Sequence, residues 1–383
     1  MAPVRRQAPS NATSAIKPGS RSPLHTTMRN GTHAPRPTTI SNFAVTYRCN
    51  GRCKTCNIWK MENPERGEMG IDDIQSLFES NKDFLGDVGS IQLTGGEPYM
   101  RGDLPEIVST IHHHLPRCTF WIPTNGMLPE TVEMTAEILE ALDGRSLGVS
   151  VSIDGGEKTH DDLRGIEGSH RNAVETLEGL SHLRGEHQNL ALSVGMTVAQ
   201  ENCGEMLEVA QLAKRFGADF TFRPVNHSEI YYRNPVEDPN PAFVADRILP
   251  AVREIGRDLQ RRKGLRASTP TLRYMQGALD YLREPRDRSL PCSAASDSFF
   301  LDPYGNIYPC IFLDMPLGNA LEKPLHEMWR SREAAAARRI IGGGGCPNCW
   351  VECEAFREIR RDVRGLISAA LRALLHPSTA GIS

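Results

Sequence analysis

Three cysteines fall within eight residues, in the stretch Tyr47-Arg48-Cys49-Asn50-Gly51-Arg52-Cys53-Lys54-Thr55-Cys56, and that spacing constrains this chain more than any other feature. Three thiols so close together cannot all pair as disulfides, and no secretory signal is expected ahead of them. Zinc sites usually come as spaced CxxC or CxxC/HxxxH pairs, and no histidine lies near enough in sequence to complete one here. A four-iron cluster held by three thiolates keeps one iron open, much as a three-ligand zinc keeps a position for substrate. The loop therefore reads as an iron-sulfur ligand set and as an active site.

From Ile40 to about Asn226 the chain alternates short apolar runs with helical patterns. Strands are expected at Phe43-Thr46, Ser90-Thr94, Thr119-Pro123, Leu147-Ile153, Leu190-Val198 and Phe220-Pro224. Between them lie amphipathic helices, with Ile71, Ile74, Leu77 and Phe78, or Met206, Val209, Ala213 and Phe216, at helical spacing. Such alternation argues an α/β fold with a parallel sheet and helices outside it.

Four further motifs follow the cysteine loop. Gly95-Gly96-Glu97-Pro98 follows the run Ile91-Gln92-Leu93-Thr94; Thr124-Asn125-Gly126 and Val151-Ser152-Ile153-Asp154-Gly155 end the next two strands; His160 and Arg164-Gly165 come after. In this order the set resembles the radical S-adenosylmethionine (radical SAM) superfamily. The resemblance implies a partial (β/α)6 TIM-like barrel with its motifs at the strands' C-terminal ends. It implies a 4Fe-4S cluster on Cys49, Cys53 and Cys56, and S-adenosyl-L-methionine held by Gly95, Gly96, Glu97, Pro98, Asn125, Ser152 and Asp154. The residue types suit that task. Glycines let backbone approach a ligand, Glu97 offers a charged acceptor, and Ser152 and Asp154, two apart on a strand, face the same side toward ribose hydroxyls. One position departs from the family: the aromatic residue usual before the third cysteine is Thr55. Trp59 is a substitute for packing on adenine, or else a core tryptophan.

Residues 241–285 read as a helical connection, and a second cysteine-rich region follows. Cys292, a hairpin signal from Phe299 to Tyr308, and Cys310 precede Cys346-Pro347-Asn348-Cys349-Trp350-Val351-Glu352-Cys353. Cys292, Gly305 and Cys310 meet the opening pattern of the C-terminal SPASM and twitch domains of radical SAM enzymes. Five thiolates suffice for one fully ligated auxiliary 4Fe-4S cluster and not for two. Cys292, Cys310, Cys346 and Cys349 fit the twitch order, while Cys353, four residues past Cys349, is an alternative to either of the last two. A zinc ribbon is the rival reading. The domain plan is thus a basic tail over 1–38, a barrel over 39–240, the connection, and an auxiliary-cluster domain with a C-terminal helix over 286–383.

The resemblance implies reductive cleavage of the cofactor to a 5'-deoxyadenosyl radical, hydrogen abstraction from substrate, and an external one-electron donor such as flavodoxin or ferredoxin. Candidate substrate residues at the mouth are Glu201, Arg223, Asn226 and His227. No peptide-recognition domain precedes the barrel, which favours oxidation of a small polar, sugar- or cyclitol-like metabolite, with the auxiliary cluster as electron acceptor. A SPASM-type peptide maturase and a non-catalytic iron-sulfur sensor are the alternatives. The composition, with 39% hydrophobic residues and net charge −3 over 383 residues, implies neither a membrane span nor a nucleic-acid surface, and a cytoplasmic enzyme is expected. The first 38 residues hold no Asp or Glu and many Pro, Ser, Thr and Arg, the composition of a disordered tail.

Overall fold

The six apolar runs become six parallel strands. The computed structural model describes residues 35–61, 67–234, 240–285 and 288–383. Strands β1 (Thr39–Thr46), β2 (Ser90–Gly95), β3 (Thr119–Thr124), β4 (Leu147–Ser152), β5 (Leu190–Val198) and β6 (Asp219–Pro224) pair in sequence order. Parallel neighbours need crossovers, and the helices between the strands supply them.

Alternate residues of each strand face opposite sides. On one side Ile91, Leu93, Phe120, Ile122, Val149, Val194 and Phe222 are buried, and helices such as Ser169–Glu186 and Met206–Arg215 pack on β4, β5 and β6. Burying each such side chain is worth about 1.5–3 kcal/mol, so this face must be covered. The other face carries Asn42, Gln92, Thr94, Pro123, Ser152, Thr197 and Arg223, which line one concave lumen.

The sheet continues past β1. β7 (Ser298–Leu301) pairs with β1 in parallel, β8 (Asn306–Tyr308) runs antiparallel to β7, and β9 (Gly318–Asn319) antiparallel to β8. The expected hairpin is present, its turn held by the Asp302 carboxylate, which accepts from the backbone N–H groups of Tyr304 and Asn306 and from the Asn306 amide. The cysteine-rich region is therefore built onto the barrel's own sheet.

Helix Pro241–Arg283 fills the expected connection and is broken at Gly264, whose φ is 75°. The expected basic tail lies outside the described residues as far as 34. Residues 35–38, assigned to it from sequence, belong to the fold: the Pro35 carbonyl accepts from Trp329 Nε1 at 2.8 Å and Thr38 N donates to the Asp297 carbonyl at 2.8 Å.

A short segment of the C-terminal region reaches both β1 and β6, the outer barrel strands. Thr221 Oγ1 on β6 donates to Glu352 Oε1 at 3.1 Å, and Asn42 Nδ2 on β1 donates to Cys353 Sγ at 3.6 Å. Beside them Trp350 N donates to Asn226 Oδ1 at 3.2 Å.

Candidate active site

The loop after β1 carries its thiols to the strands' C-terminal ends. Cys49, Cys53 and Cys56 line one cleft with Gly95, Gly96, Glu97, Asn125, Ser152 and Asp154. The cleft encloses about 1060 Å³, its open mouth included. An ideal Cβ on Gly51 would lie 3.4 Å from Cys53 Sγ and 3.6 Å from Cys49 Sγ, so these two sulfurs converge on one side of the loop. Burial pushes the Cys49 thiol up to about 11 and the Cys56 thiol up to about 12. Iron bound by these sulfurs would stabilise the thiolate forms that burial alone disfavours. Among the described residues no three or more His, Cys, Asp or Glu side chains are packed closely enough to hold a single metal ion. A cluster spreads its thiolates over several irons.

Helix Glu157–Arg164 and Gly165 hold the loop in place. Arg52 N donates to the Arg164 carbonyl and Lys54 N to the Leu163 carbonyl, both at 2.9 Å. Gly165 has φ 66°, and a Cβ there would meet the Arg52 carbonyl oxygen at 2.5 Å. Arg164 is buried between the loop and β4, with Nη1 3.9 Å from Cys53 Sγ and Nη2 2.7 Å from Asp154 Oδ2. His160 Nδ1 accepts from Asp154 N at 3.0 Å, and burial lowers its pKa to about 3, so the ring stays neutral. His160, Arg164 and Gly165 thus act as scaffold.

Gly95 and Gly96 have a protein reason beyond the ligand approach expected from sequence. A Cβ on Gly95 would fall 1.9 Å from the Thr46 carbonyl oxygen, and one on Gly96 2.1 Å from that of Arg48. The turn lies directly on the cysteine loop's backbone, with Glu97 N donating to the Arg48 carbonyl at 2.9 Å. Tyr231 fastens the other side, its hydroxyl donating to the Gly95 carbonyl at 3.0 Å. Pro98 opens the 3-10 turn Pro98–Met100 and is buried.

Glu97 is buried, and this raises its pKa to about 7 against the opposing hydrogen bonds from Asn125, Thr124 and Tyr99. Oε2 accepts from Asn125 N at 2.6 Å and Oε1 from Thr124 Oγ1 at 2.9 Å. A carboxylate offers about four lone-pair sites, so Oε2 can still accept from a cationic ligand. The Asn125 side chain reaches the cysteine loop, Nδ2 donating to Asn50 Oδ1 at 2.7 Å. Asp154 spends Oδ2 on Arg164 and Oδ1 on Thr197 N at 2.8 Å; Ser152, one step along the same face, lines the cleft beside it. Thr55 and Trp59 both line the cleft. Trp59 is only half-buried, with Arg52 and Lys60 each 4.9 Å from its ring, and is not a core tryptophan.

The four substrate candidates separate. Arg223 lines the cleft; Asn226 does too, but its amide bonds the Pro224 carbonyl and Trp350 N. Glu201 is exposed on the turn after β5, and neither it nor His227 lines the cleft.

In the C-terminal group, burial raises Cys292 to about 11 and raises Cys310 and Cys349 as well. The Glu354 carboxylate raises all three further, and Cys292 also bears on Cys310 and Cys349, so three thiols and one carboxylate are neighbours. Glu354 Oε1 is buried without a hydrogen-bond partner among the described residues, while Oε2 pairs with Arg357. Arg288 Nη1 approaches Cys349 Sγ at 3.7 Å, and the charge of Cys346 bears on Arg288 as well. Cys353 instead turns to Asn42 on β1, and burial pushes it up to about 12.

Comparison with known proteins places this site. The family described as the radical SAM superfamily matches residues 43–213, and the iron-sulfur cluster-binding SPASM domain matches residues 292–354. Residues 43–213 are thus a radical SAM domain and residues 292–354 a SPASM domain. The chain's cofactors are accordingly 4Fe-4S clusters and S-adenosyl-L-methionine. This radical SAM protein is 26% identical over 319 residues to the AdoMet-dependent heme synthase of Nitratidesulfovibrio vulgaris, covering 76% of this chain and 78% of that one. It is 27% identical over 327 residues to the mycofactocin maturase MftC of Mycolicibacterium smegmatis, covering 83% and 71%. Its fold is similar to that of Streptococcus suis SuiB bound to S-adenosylmethionine, with TM-score 0.59 at 16% identity over 79% of this chain and 68% of the other. Among the described residues no helix is long and apolar enough to cross a membrane.

Proposed function

We propose that this radical SAM enzyme oxidises a small polar substrate bearing a carboxylate, which Arg223 holds in the barrel lumen. One observation supports the reading above others. Arg223 stands in the cleft lining on β6, and among the described residues no hydrogen bond or ion pair engages its guanidinium. Burial opposes its charge, but Tyr232, Glu352 and Asp154 together outweigh burial and keep it protonated. Arg223 is only partly buried, so its guanidinium stands open to the cleft, and a carboxylate from outside would meet it in a charge-assisted pair. When bound, the clusters and S-adenosylmethionine supply the one-electron chemistry: a 5'-deoxyadenosyl radical to take a hydrogen atom, and an acceptor for the electron left behind.

The chain's own residues do the rest. Cys49, Cys53 and Cys56 hold the first cluster, with Glu97 and Ser152 facing the cofactor. Arg223 orients the acid, and Glu352, whose charge acts on Arg223, is placed to receive the proton that oxidation releases. The segment from Trp350 to Cys353 closes the lumen between β1 and β6 and keeps water from the radical. Cys292, Cys310, Cys346 and Cys349 hold the auxiliary cluster, and an external donor such as flavodoxin or ferredoxin supplies the first electron.

The test uses anaerobically reconstituted protein with dithionite and a panel of small acids and their amides. Arg223→Gln is expected to lower substrate-dependent 5'-deoxyadenosine formation at least about 100-fold, the loss of a charged pair worth roughly 3 kcal/mol. Unchanged turnover in that variant sinks the reading. A peptide is the second reading, supported by the similarity to the mycofactocin maturase; a peptide's C-terminal carboxylate would meet Arg223 equally well, and short peptides belong in the panel.

A further inference from the structure

Arg288 stands four residues before Cys292, at the end of the run Glu284-Pro285-Arg286-Asp287-Arg288, a charge-rich stretch of the kind that usually stays in solvent. The fold turns Arg288 inward. Its Nη1 lies 3.7 Å from Cys349 Sγ, and its Nε and Nη2 are buried with no hydrogen-bond partner among the described residues. The charges of Cys349, Cys292 and Cys346 all favour the protonated guanidinium, so it faces three of the four thiols assigned above to the auxiliary cluster. Glu354 is the acid that bears on it, but that carboxylate is already paired with Arg357.

A guanidinium is a fork of N–H donors that stays charged in proteins. Leaving two of its nitrogens buried and unbonded is costly, and a neutral thiol accepts only weakly. Sulfur bound to iron is a better partner. The thiolates and sulfides of a 4Fe-4S cluster carry negative charge, and hydrogen bonds to them help set its reduction potential. Arg164, beside the first cysteine group, gives the contrast. It too approaches a thiol, with Nη1 3.9 Å from Cys53 Sγ, but its Nη2 is 2.7 Å from Asp154 Oδ2, so an acid in direct contact offsets its charge. Among the described residues no acid is bonded to Arg288.

Resting on the assignment of the auxiliary cluster to Cys292, Cys310, Cys346 and Cys349, we infer that Arg288 donates to the sulfur of that cluster and raises its reduction potential. The reduced cluster carries one more negative charge than the oxidised one, so a cation in contact with it favours the reduced form. That sign suits an acceptor. The electron left on the substrate, once a hydrogen atom and a proton have gone, passes more readily to a cluster of higher potential. The first cluster has the opposite task of giving an electron to S-adenosylmethionine, and there the neighbouring cation is offset by Asp154.

The test uses the full-length chain with Cys49, Cys53 and Cys56 changed to Ala, reconstituted anaerobically so that it holds the auxiliary cluster alone. A redox titration followed by electron paramagnetic resonance reads the midpoint potential. Arg288→Gln is expected to lower it, the reduced form becoming about tenfold less favoured, which is about 59 mV for a one-electron couple. Arg288→Lys keeps the charge and should shift the potential less far. A potential unchanged or raised in Arg288→Gln, or one that falls as far in Arg288→Lys, overturns the inference while the ligand assignment stands. Should Arg288→Gln assemble no cluster, Arg288→Lys decides: a cluster kept within about tenfold of the parent's reduction constant bears the inference out, and its loss or a larger fall overturns it. A parent chain that takes up zinc, or no iron, defeats the ligand assignment and the inference together.

Discussion

The two cysteine groups are assembled in opposite ways. Cys49, Cys53 and Cys56 come from eight consecutive residues, so loop geometry alone brings them together, and the fold needs only to fasten the loop through Arg164, Gly165 and the Gly95-Gly96 turn. The C-terminal thiols are spread over residues 292–353 and meet only after β7 has paired with β1 and helix Glu352–Arg361 has docked. The first group faces a cleft. The second is wrapped in buried ion pairs, Arg357 joining Glu354 and also reaching Asp297 at 2.9 Å. Local spacing thus suffices to bring the thiols of the first group together, while in the second the packing decides which thiols meet.

The strongest test of this contrast removes the first group. Cys49, Cys53 and Cys56 all changed to Ala should abolish cleavage of S-adenosylmethionine and lower iron from about eight to about four per chain; chromatography and iron assay read both. Undiminished cleavage breaks the assignment. Next, Cys292→Ala with Cys310→Ala should also leave about four irons but spare cleavage, so 5'-deoxyadenosine persists while oxidised product disappears. Normal product from that variant means the second group is only structural.

Smaller effects sharpen the first group's surroundings. Glu97 has a folded pKa raised to about 7, so below that pH it is neutral and accepts poorly from the cofactor's ammonium. Affinity for S-adenosylmethionine should therefore fall by up to about tenfold per pH unit below pH 7 and level off above it. Isothermal titration across pH 5.5–8 checks this, and Glu97→Gln should flatten the profile. Gly165→Ala places a methyl against the Arg52 carbonyl at φ 66°; a loss of about 1–2 kcal/mol is expected, read as a lowered Tm with weakened cluster retention. The smallest effect is expected of Cys353→Ala, which should keep its full iron, since that thiol faces β1. Loss of four irons there would make Cys353 a ligand and undo the contrast.

Much of this was legible in the sequence. The strands were visible because their apolar residues alternate or run unbroken, and the loop because three thiols at that spacing admit few uses. What escaped was decided by neighbours distant in the chain. Gly95 and Gly96 suggested a ligand because no sequence pattern reveals that the Thr46 and Arg48 carbonyls lie against them. Cys353 stands four residues past Cys349, a spacing that suggests one helical turn, but the helix begins at Glu352, so Cys349 lies outside it and helical spacing does not relate the two.

The parallel pairing of β7 with β1 bears on how this protein can be taken apart. β1 ends at the cysteine loop, and its two ladders run to β2 on one side and to β7 on the other. Cutting the chain before β7 would turn an interior strand into a raw sheet border, with unpaired N–H and C=O groups and Ile40, Phe43 and Val45 nearby, the kind of border that recruits other chains. A truncated barrel should therefore aggregate before its chemistry can be assayed.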